Sequence, residues 1–520
     1  MQVGNFGRRQ LQADLAGPLS ADGQWLYRLV AVGRESDTQV DQVADDRRLI
    51  APSLTWRPSA ATSLTLQALY QKDHTGSTSQ FLPWTGTLLP SPAGLLASNT
   101  FIGQPGDHYD TKRRTVGYLF EHRLDSGWTV RQNLRFSRND VEYVSAYGDS
   151  FSVPGDWGSD LANKRLIARY YGGNRTQVTT LNADQHVEGK LRTGAVEHQL
   201  LGGLDFARFK TRSSATATTV LDPIDAYNRV YVAASPGDYF EAAPNTMRQT
   251  GLYLQDQLKI DRHWIVVAGL RHDRVTNSTD GAVEEKTSAT SKRLGLMHRF
   301  DSGWSPYVSY SESFTPQSNI TVSTSTGSFS QSFAPLRGKQ LEAGVKYEPE
   351  GRALAFNAAV YDLREKNRIT SPLPNVYQQL GSTKTRGVEL EARGSVGSTL
   401  DLIGHYNYTD LDDELEGMPR HTASLWAKQR FALGSVAGFS AGAGVRWMSR
   451  FTDRSGGMVG PEVPSVALVD ALLAYDTASW RLALNVNNLA DRRYFSTCLG
   501  RGDCWFGNRR TIVATATYRF

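Results

Sequence analysis

The feature that most constrains this chain is a two-residue alternation of apolar and polar side chains, in segments of about ten residues that recur along its whole length. In the last segment, Ile512, Tyr518 and Phe520 share one face, whereas Thr515 and Thr517 share the other. This period predicts strands rather than helices. No stretch approaches the roughly 18 consecutive apolar residues that a transmembrane helix needs. The chain therefore has to fold as a succession of strands.

The connections between these segments have two sizes, which take turns along the chain. Short connections carry tight-turn residues, as at 125–127 and 301–303. Long connections, rich in Gly, Ser, Thr, Pro and aromatic residues, are expected near 75–110, 142–173, 213–246, 314–337 and 492–508. Short turns on one side and long loops on the other are typical of an outer-membrane barrel, whose lipid-facing and lumen-facing residues alternate. We therefore predict an all-β transmembrane barrel with short periplasmic turns and long extracellular loops.

The C-terminal end of the chain sets the number of strands. Because the chain ends in a strand, its last residue should lie on the periplasmic side, and counting back gives about 21 full strands, the first near residues 8–17. Bacterial single-chain barrels have an even number of strands. We therefore predict about 22 antiparallel strands, the first truncated to residues 1–6 before a tight turn at Gly7. The lumen of a barrel this wide has to be plugged if the membrane is to hold a gradient. We recognise neither a plug nor a signal peptide in the sequence, so residues 1–520 are expected to be a barrel domain whose N-terminal plug and signal peptide are missing.

Charge and motif content argue against several classes of function. The net charge of +5 is spread along the chain without long Lys/Arg runs, which argues against nucleic-acid binding. The basic excess is compatible with contact to lipopolysaccharide and equally with simple solvated charge. The sequence has no nucleophile elbow, phosphate loop or paired-cysteine zinc site, so we predict neither an enzyme nor a metal site.

Two features near the C-terminus point to specific chemistry. Cys498 and Cys504 are the only cysteines, and in an oxidising compartment they would staple one loop, the alternative being two free thiols. The terminal Tyr518 and Phe520 match the pattern of an aromatic C-terminal residue on an alternating strand, which the barrel assembly machinery of the outer membrane recognises.

Several motifs, in their order along the chain, resemble those of TonB-dependent siderophore receptors. They lie at residues 251–257, 269–273, 306–316, 338–346, 385–391, 419–426 and 485–494. Residues 50–58 and 130–136, and a two-cysteine last extracellular loop, are similar to ferrichrome-type hydroxamate-siderophore receptors within that family. The resemblance covers the chain from about residue 1 to 520. It implies an outer-membrane receptor of a Gram-negative cell that takes up a ferric siderophore, driven by the TonB–ExbB–ExbD complex through an N-terminal region that the chain lacks.

The same resemblance implies a ligand site made of aromatic residues on the inner wall and loops. By position, Phe81, Trp84 and Tyr147 fall in the matching loops, although packing alone would also explain each of them. Aromatic rings suit a large, rigid ligand because they offer contact area at a low ordering cost. Ser79 and Asp149 stand where neighbouring aromatic residues of the family would lie, so the exact ligand stays open. The iron is expected as part of the ligand, with no resident cofactor.

Three alternatives remain open at this stage. The barrel would also suit a passive, porin-like channel, or a TonB-dependent receptor for another ligand such as haem, cobalamin, copper or a sugar. A soluble, multi-bladed all-β carbohydrate-binding protein or enzyme is the alternative from a different class. Without a plug, the chain is expected to bind a siderophore weakly and not to be energised by TonB.

Overall fold

The computed structural model describes residues 1–280, 284–317, 320–324, 327–373, 376–412, 417–454 and 458–520. The regular elements in these residues are strands, and no helix among them is long and apolar enough to cross a bilayer. In chain order the strands are β1 (Gln2–Gly4), β2 (Arg9–Pro18), β3 (Trp25–Glu35), β4 (Asp45–Ser59), β5 (Thr62–Thr75), β6 (Leu82–Pro83), β7 (His108–Arg123), β8 (Thr129–Gly148), β9 (Leu166–Thr193), β10 (Val196–Thr216), β11 (Thr219–Asp225), β12 (Tyr239–Glu241), β13 (Asn245–Ile260), β14 (Trp264–Thr279), β15 (Glu285–His298), β16 (Trp304–Thr315), β17 (Ile320–Thr324), β18 (Gly327–Gln331), β19 (Leu336–Tyr347), β20 (Leu354–Lys366), β21 (Arg368–Leu373), β22 (Val376–Leu380), β23 (Thr383–Val396), β24 (Leu400–Leu411), β25 (His421–Leu433), β26 (Val436–Met448), β27 (Val466–Asp476), β28 (Trp480–Asn487), β29 (Phe495–Cys498), β30 (Asp503–Phe506) and β31 (Thr511–Tyr518).

The main sheet closes on itself through its shortest strand, β1. On one edge Gln2 lies opposite Gln10 of β2, and on the other edge it lies opposite Thr515 of β31. Of the 24 strands of this sheet, β11 and β12 only extend the β9–β10 hairpin, and the other 22 form a closed antiparallel wall within the described residues. The predicted barrel of about 22 antiparallel strands is therefore confirmed, and its first strand has three residues. The turn after β1 contains Gly7 at φ +63°, a backbone conformation that glycine adopts without steric cost.

The two faces of the wall differ as the alternation predicts. Leu252 and Leu254 on β13 point outward, where 63% and 61% of their surface is exposed. Tyr253 between them points into the lumen, where its hydroxyl donates a hydrogen bond of 2.7 Å to Asp184. An apolar outer surface and a polar bore are the arrangement that a lipid-embedded barrel requires.

Aromatic side chains collect where the wall meets the short turns. Cross-strand aromatic pairs lie at this end of the barrel: Trp25–Trp56 at 6.0 Å, Trp304–Tyr347 at 4.3 Å and Trp480–Tyr518 at 4.9 Å between ring centroids. Aromatic rings favour the boundary between hydrocarbon and water because one part of the ring system is apolar and the other is polar. These pairs mark the periplasmic edge of the membrane-spanning band.

On the extracellular side, the β8–β9 hairpin is longer than the sequence suggested. We expected a loop over residues 142–173, but the ladder continues without a break to Gly148 opposite Arg169, and only residues 149–165 connect the strands. The expectation was wrong because the small and aromatic residues there were assigned to a loop. Instead, their backbone groups pair across the hairpin.

Most of the fully buried large side chains lie in the extracellular loops, although Ile167 of β9 and Leu468 of β27 are also buried. Trp157, Leu96 and Ile102, from two different loops, have at most 1% of their surface exposed and pack together with Ile224 and neighbours. A barrel wall has lipid on one side and the bore on the other, so its residues meet few partners. The loops therefore fold into a small core of their own, which we call the loop core.

Candidate functional site

Four aromatic side chains form a continuous row beside the loop core. Tyr147 of β8 lies directly opposite Tyr170 of β9, with 5.8 Å between the ring centroids. Phe81 lies 5.8 Å from Tyr147 at one end of the row, and Phe151 stacks on Tyr170 at 5.7 Å at the other. All four side chains are half-buried. We call Phe81, Tyr147, Tyr170 and Phe151 the aromatic row.

The strand register places this row on the lumen-facing side of the hairpin. The β8–β9 pairing is uninterrupted from Thr129 to Gly148, so odd-numbered residues of β8 share one side. Arg131, one of these, contacts Glu121 and Glu188. The charged contacts of Arg131 mark the polar, lumen-facing side. Tyr147 follows Arg131 by an even number of positions and therefore faces the same way.

A disulfide hairpin, β29–β30, covers the Phe81 end of the row. Cys498 and Cys504 form a disulfide with 4.0 Å between their Cα atoms. The hairpin places the Trp505 ring edge-on to Phe81 at 6.2 Å and the Arg501 guanidinium 5.3 Å from the centre of the same ring. The disulfide loop thereby closes one end of the site.

Arg501 and Trp505 are held in place by one buried carboxylate. Asp503 has 1% of its surface exposed, and it accepts hydrogen bonds of 2.7 Å from both Arg501 Nε and Trp505 Nε1. The charge of Arg501 is therefore largely neutralised where it meets the aromatic row. Each charge-assisted hydrogen bond of this kind fixes a side chain more firmly than a neutral one.

Of the three aromatic residues selected from the sequence, the structure brings Phe81 and Tyr147 together and places Trp84 elsewhere. The Trp84 ring packs against Gly155 and against the cluster of Phe451 and the disulfide, and its Nε1 donates a 3.0 Å hydrogen bond to the Leu499 carbonyl. Trp84 thus supports the disulfide hairpin from below. Ligand binding stays a prediction for Phe81, Trp84 and Tyr147, and the row favours it for Phe81 and Tyr147.

The sequence analysis missed Tyr170, Phe151 and Trp505. Tyr170 was hidden because residues near it were assigned to a loop, where the period of two carries no information. Tyr170 lies opposite Tyr147 because of the pairing register of β8 and β9, and this register is set along the full length of the hairpin. Trp505 follows Cys504 directly, so the cysteine pair was the one available indication that this hairpin reaches the site.

A buried carboxyl group ties the long loop that carries Phe81 to the β8–β9 hairpin. Asp107 accepts hydrogen bonds from the backbone amides of Gln104 at 3.0 Å and Ala146 at 2.9 Å. Burial raises the pKa of the Asp107 carboxyl to about 6, against the effect of the two amide donors. Within the described ranges no cluster of His, Cys, Asp or Glu has the arrangement of a metal site. The aromatic row and the charged groups near it can bind a ligand through ring contacts and electrostatic attraction.

Comparison with known proteins gives the same architecture. A family model described as TonB dependent receptor-like, beta-barrel, matches residues 55–489. The Ferrioxamine B receptor of Salmonella typhimurium is 35% identical over 100% of this chain and 74% of its own length. The Ferrichrome outer membrane transporter/phage receptor of Escherichia coli is 32% identical over 98% of this chain and 72% of its own length.

Solved structures agree in fold at lower identity. The ferric-catecholate import receptor Fiu from Escherichia coli matches with a TM-score of 0.83 at 20% identity, covering 100% of this chain and 81% of that chain. The ferripyoverdine receptor of Pseudomonas aeruginosa matches with a TM-score of 0.83 at 19% identity, covering 100% of this chain and 71% of that chain. The family model spans most of the 22-stranded wall, and two receptors above 30% identity match nearly the whole chain. This chain is an outer-membrane β-barrel that belongs to the TonB-dependent receptor family.

Proposed function

We propose that this receptor takes up a ferric hydroxamate-type siderophore, which it binds at the aromatic row. The observation that carries the proposal is the set of aromatic rings on the lumen-facing side of the β8–β9 hairpin, closed at one end by the disulfide hairpin. A ferric hydroxamate complex is compact and rigid, with methylene linkers on its surface. Half-buried aromatic rings provide contact area for such a surface without losing much side-chain entropy.

Transport in this proposal involves no covalent chemistry on the ligand. The row captures the iron complex at the mouth of the barrel, and a plug rearranged by TonB lets it pass, as the family resemblance implies. The chain described here supplies the wall, the loop core and the row.

The test is a titration of the purified chain in detergent with ferrichrome and with ferrioxamine B, followed by quenching of tryptophan fluorescence. We expect saturable quenching, and we expect Phe81→Ala and Tyr147→Ala each to weaken binding by about tenfold or more, as for central aromatic residues of an interface. Phe240→Ala is the matched control, because Phe240 is 65% exposed in another extracellular segment and outside the row. Absence of saturation with either complex up to millimolar concentration would refute the proposal.

We also propose that the outer surface above the apolar band binds the phosphate groups of lipopolysaccharide. Arg48, Lys72 and Lys112 lie directly opposite one another on three neighbouring strands, all exposed. Arg208 and Arg248 form a second like-charged pair. Like charges at directly opposite positions destabilise a sheet. A polyanion that binds between these basic side chains would remove the repulsion between them. The phosphate groups of lipopolysaccharide lie just above the apolar band and provide such an anion.

This second proposal predicts weaker lipid binding when the row of cations is interrupted. Each basic residue near an anionic lipid surface contributes about 1 kcal/mol. Lys72→Gln combined with Lys112→Gln should therefore lower the affinity of the detergent-purified protein for lipopolysaccharide by roughly tenfold or more. Arg28→Gln is the control, because Arg28 lies near the periplasmic end of β3 and pairs with Asp14. Equal affinity of the double variant and the control would contradict the proposal.

We further propose that the barrel assembly machinery recognises Tyr518 and Phe520 at the end of β31. Phe520 has 89% of its surface exposed, and its ring lies 6.1 Å from that of Tyr518. A large apolar side chain that contributes so little to packing is available for a partner.

A further inference from the structure

Asp149 extends the aromatic row by one charged position. Its backbone amide donates a 2.8 Å hydrogen bond to the Ala168 carbonyl, which continues the β8–β9 ladder one step beyond Gly148. Asp149 follows Tyr147 by two positions and therefore lies on the same side of the hairpin. It is also the diagonal neighbour of Tyr170, whose hydroxyl donates to Asp149 Oδ2 at 3.2 Å.

The charge of Asp149 is not neutralised by a cation in the part of the chain that the structure describes. Besides the Tyr170 hydroxyl, its carboxylate accepts hydrogen bonds from the amides of Phe151 at 3.3 Å and Ser152 at 2.9 Å. All three donors are neutral. An uncompensated carboxylate therefore lies at the aromatic row, beside Tyr170.

The cations in the surrounding loops are engaged elsewhere. Arg501 is bonded to the buried Asp503, and Lys164 forms an ion pair with Asp156. Arg169 lies on the opposite side of the hairpin from Tyr170, where it donates to the Ile102 carbonyl. None of these side chains compensates the carboxylate of Asp149.

A carboxylate beside aromatic rings is an arrangement that favours a positively charged ligand group. The faces of aromatic rings attract cations. A half-buried carboxylate within a few ångströms adds a Coulomb attraction that bulk water only partly screens. We propose that the aromatic row and Asp149 select ferric hydroxamate complexes that carry an ammonium group over neutral complexes of the same size. This inference rests on the proposed siderophore function and adds to it the charge of the preferred ligand.

The experiment compares two ligands that differ by one charge. Ferrioxamine B has a free amine that is protonated at neutral pH, and its N-acetyl derivative keeps the iron complex without that charge. By tryptophan quenching, we expect the unmodified chain to bind the cationic complex about fivefold to tenfold more tightly. Asp149→Asn keeps an oxygen that accepts the Phe151 and Ser152 amides, so it should bring this ratio close to one by weakening the cationic complex more than the acetylated one.

A second carboxylate in the same loop, Asp156, provides the control variant. The dependence of the ratio on salt concentration is a further test that needs no variant. Asp156→Asn should leave the ratio as it is, because Asp156 is paired with Lys164 away from the row. In the unmodified chain the ratio should fall as ionic strength rises, because screening weakens a partly exposed charge interaction. Equal binding of the two complexes, or tighter binding of the acetylated one, overturns the charge selection and leaves the siderophore function standing. A ratio that survives in Asp149→Asn overturns the role of Asp149, whereas failure of both complexes to bind refutes the siderophore function itself.

Discussion

Replacing Trp157 with alanine should open the extracellular loops while the barrel stays folded. Trp157 is fully buried in the loop core, its ring stacks on Tyr227 at 6.2 Å, and its Nε1 donates a 2.8 Å hydrogen bond to the Thr85 carbonyl. Removing a buried aromatic side chain costs about 3–5 kcal/mol, which here falls on the loops and on the extracellular end of β9, where Ile167 packs in the same core. The rest of the wall does not share this cost, because its strands are held by their own continuous ladders.

Hydrogen exchange measured by mass spectrometry distinguishes the stability of the loop core from that of the barrel wall. In Trp157→Ala, amides of residues 85–104 should exchange about a hundredfold faster or more, the factor that corresponds to at least 3 kcal/mol of lost stability. Amides of the other wall strands should be unaffected. Val153→Ala in the same loop is the control, because Val153 is 39% exposed and its truncation should change stability by less than about 0.5 kcal/mol.

The same variant tests whether the loop core supports the ligand site. Leu82 packs in the core with Trp157, and Phe81 directly precedes it in the chain. Loss of the core should therefore also weaken siderophore binding at the aromatic row. If exchange accelerates in the wall strands to the same extent as in the loops, the loop core does not unfold independently of the wall.

The contrast between wall and loops also explains what the sequence could predict. The wall follows from a local rule, because each strand needs only its own alternation to distinguish lipid from lumen. The short β1 and the turn at Gly7 were predicted by combining that rule with the even strand number. The observed faces of β13 follow the same rule, with Leu252 outside and Tyr253 inside.

The loop core follows from no local rule. Trp157, Leu96 and Ile224 come from three separate connections, and their burial depends on contacts between positions far apart in sequence. The family resemblance selected Phe81, Trp84 and Tyr147 together, because position in a loop does not say which way a ring points. Contacts between segments far apart in sequence place Phe81 beside Tyr147 and Trp84 beside the disulfide, and ligand binding by all three stays a prediction.

Removing Phe520 should reduce the amount of receptor in the outer membrane without weakening the folded barrel. Phe520 lies beyond the last ladder residue, Tyr518, and 89% of its surface is exposed, so its ring contributes little to packing. An effect on assembly would therefore come from recognition by a partner. Loss of one anchoring aromatic ring at a recognition site typically costs about 2 kcal/mol, which predicts a reduction on the order of tenfold.

Two measurements on the Phe520→Ala variant separate recognition from stability. The quantity of barrel in isolated outer membranes should fall, whereas the protein refolded into detergent should unfold at the same temperature as the unmodified chain. Phe300→Ala is a matched control, since Phe300 is a 51% exposed aromatic residue next to a periplasmic turn and contacts only His298 among the described rings. It should leave the membrane quantity unchanged. A lower unfolding temperature for Phe520→Ala would instead place Phe520 in the periplasmic aromatic girdle with Trp480 and Tyr518, as a structural residue of the barrel, and the proposed assembly signal would be lost.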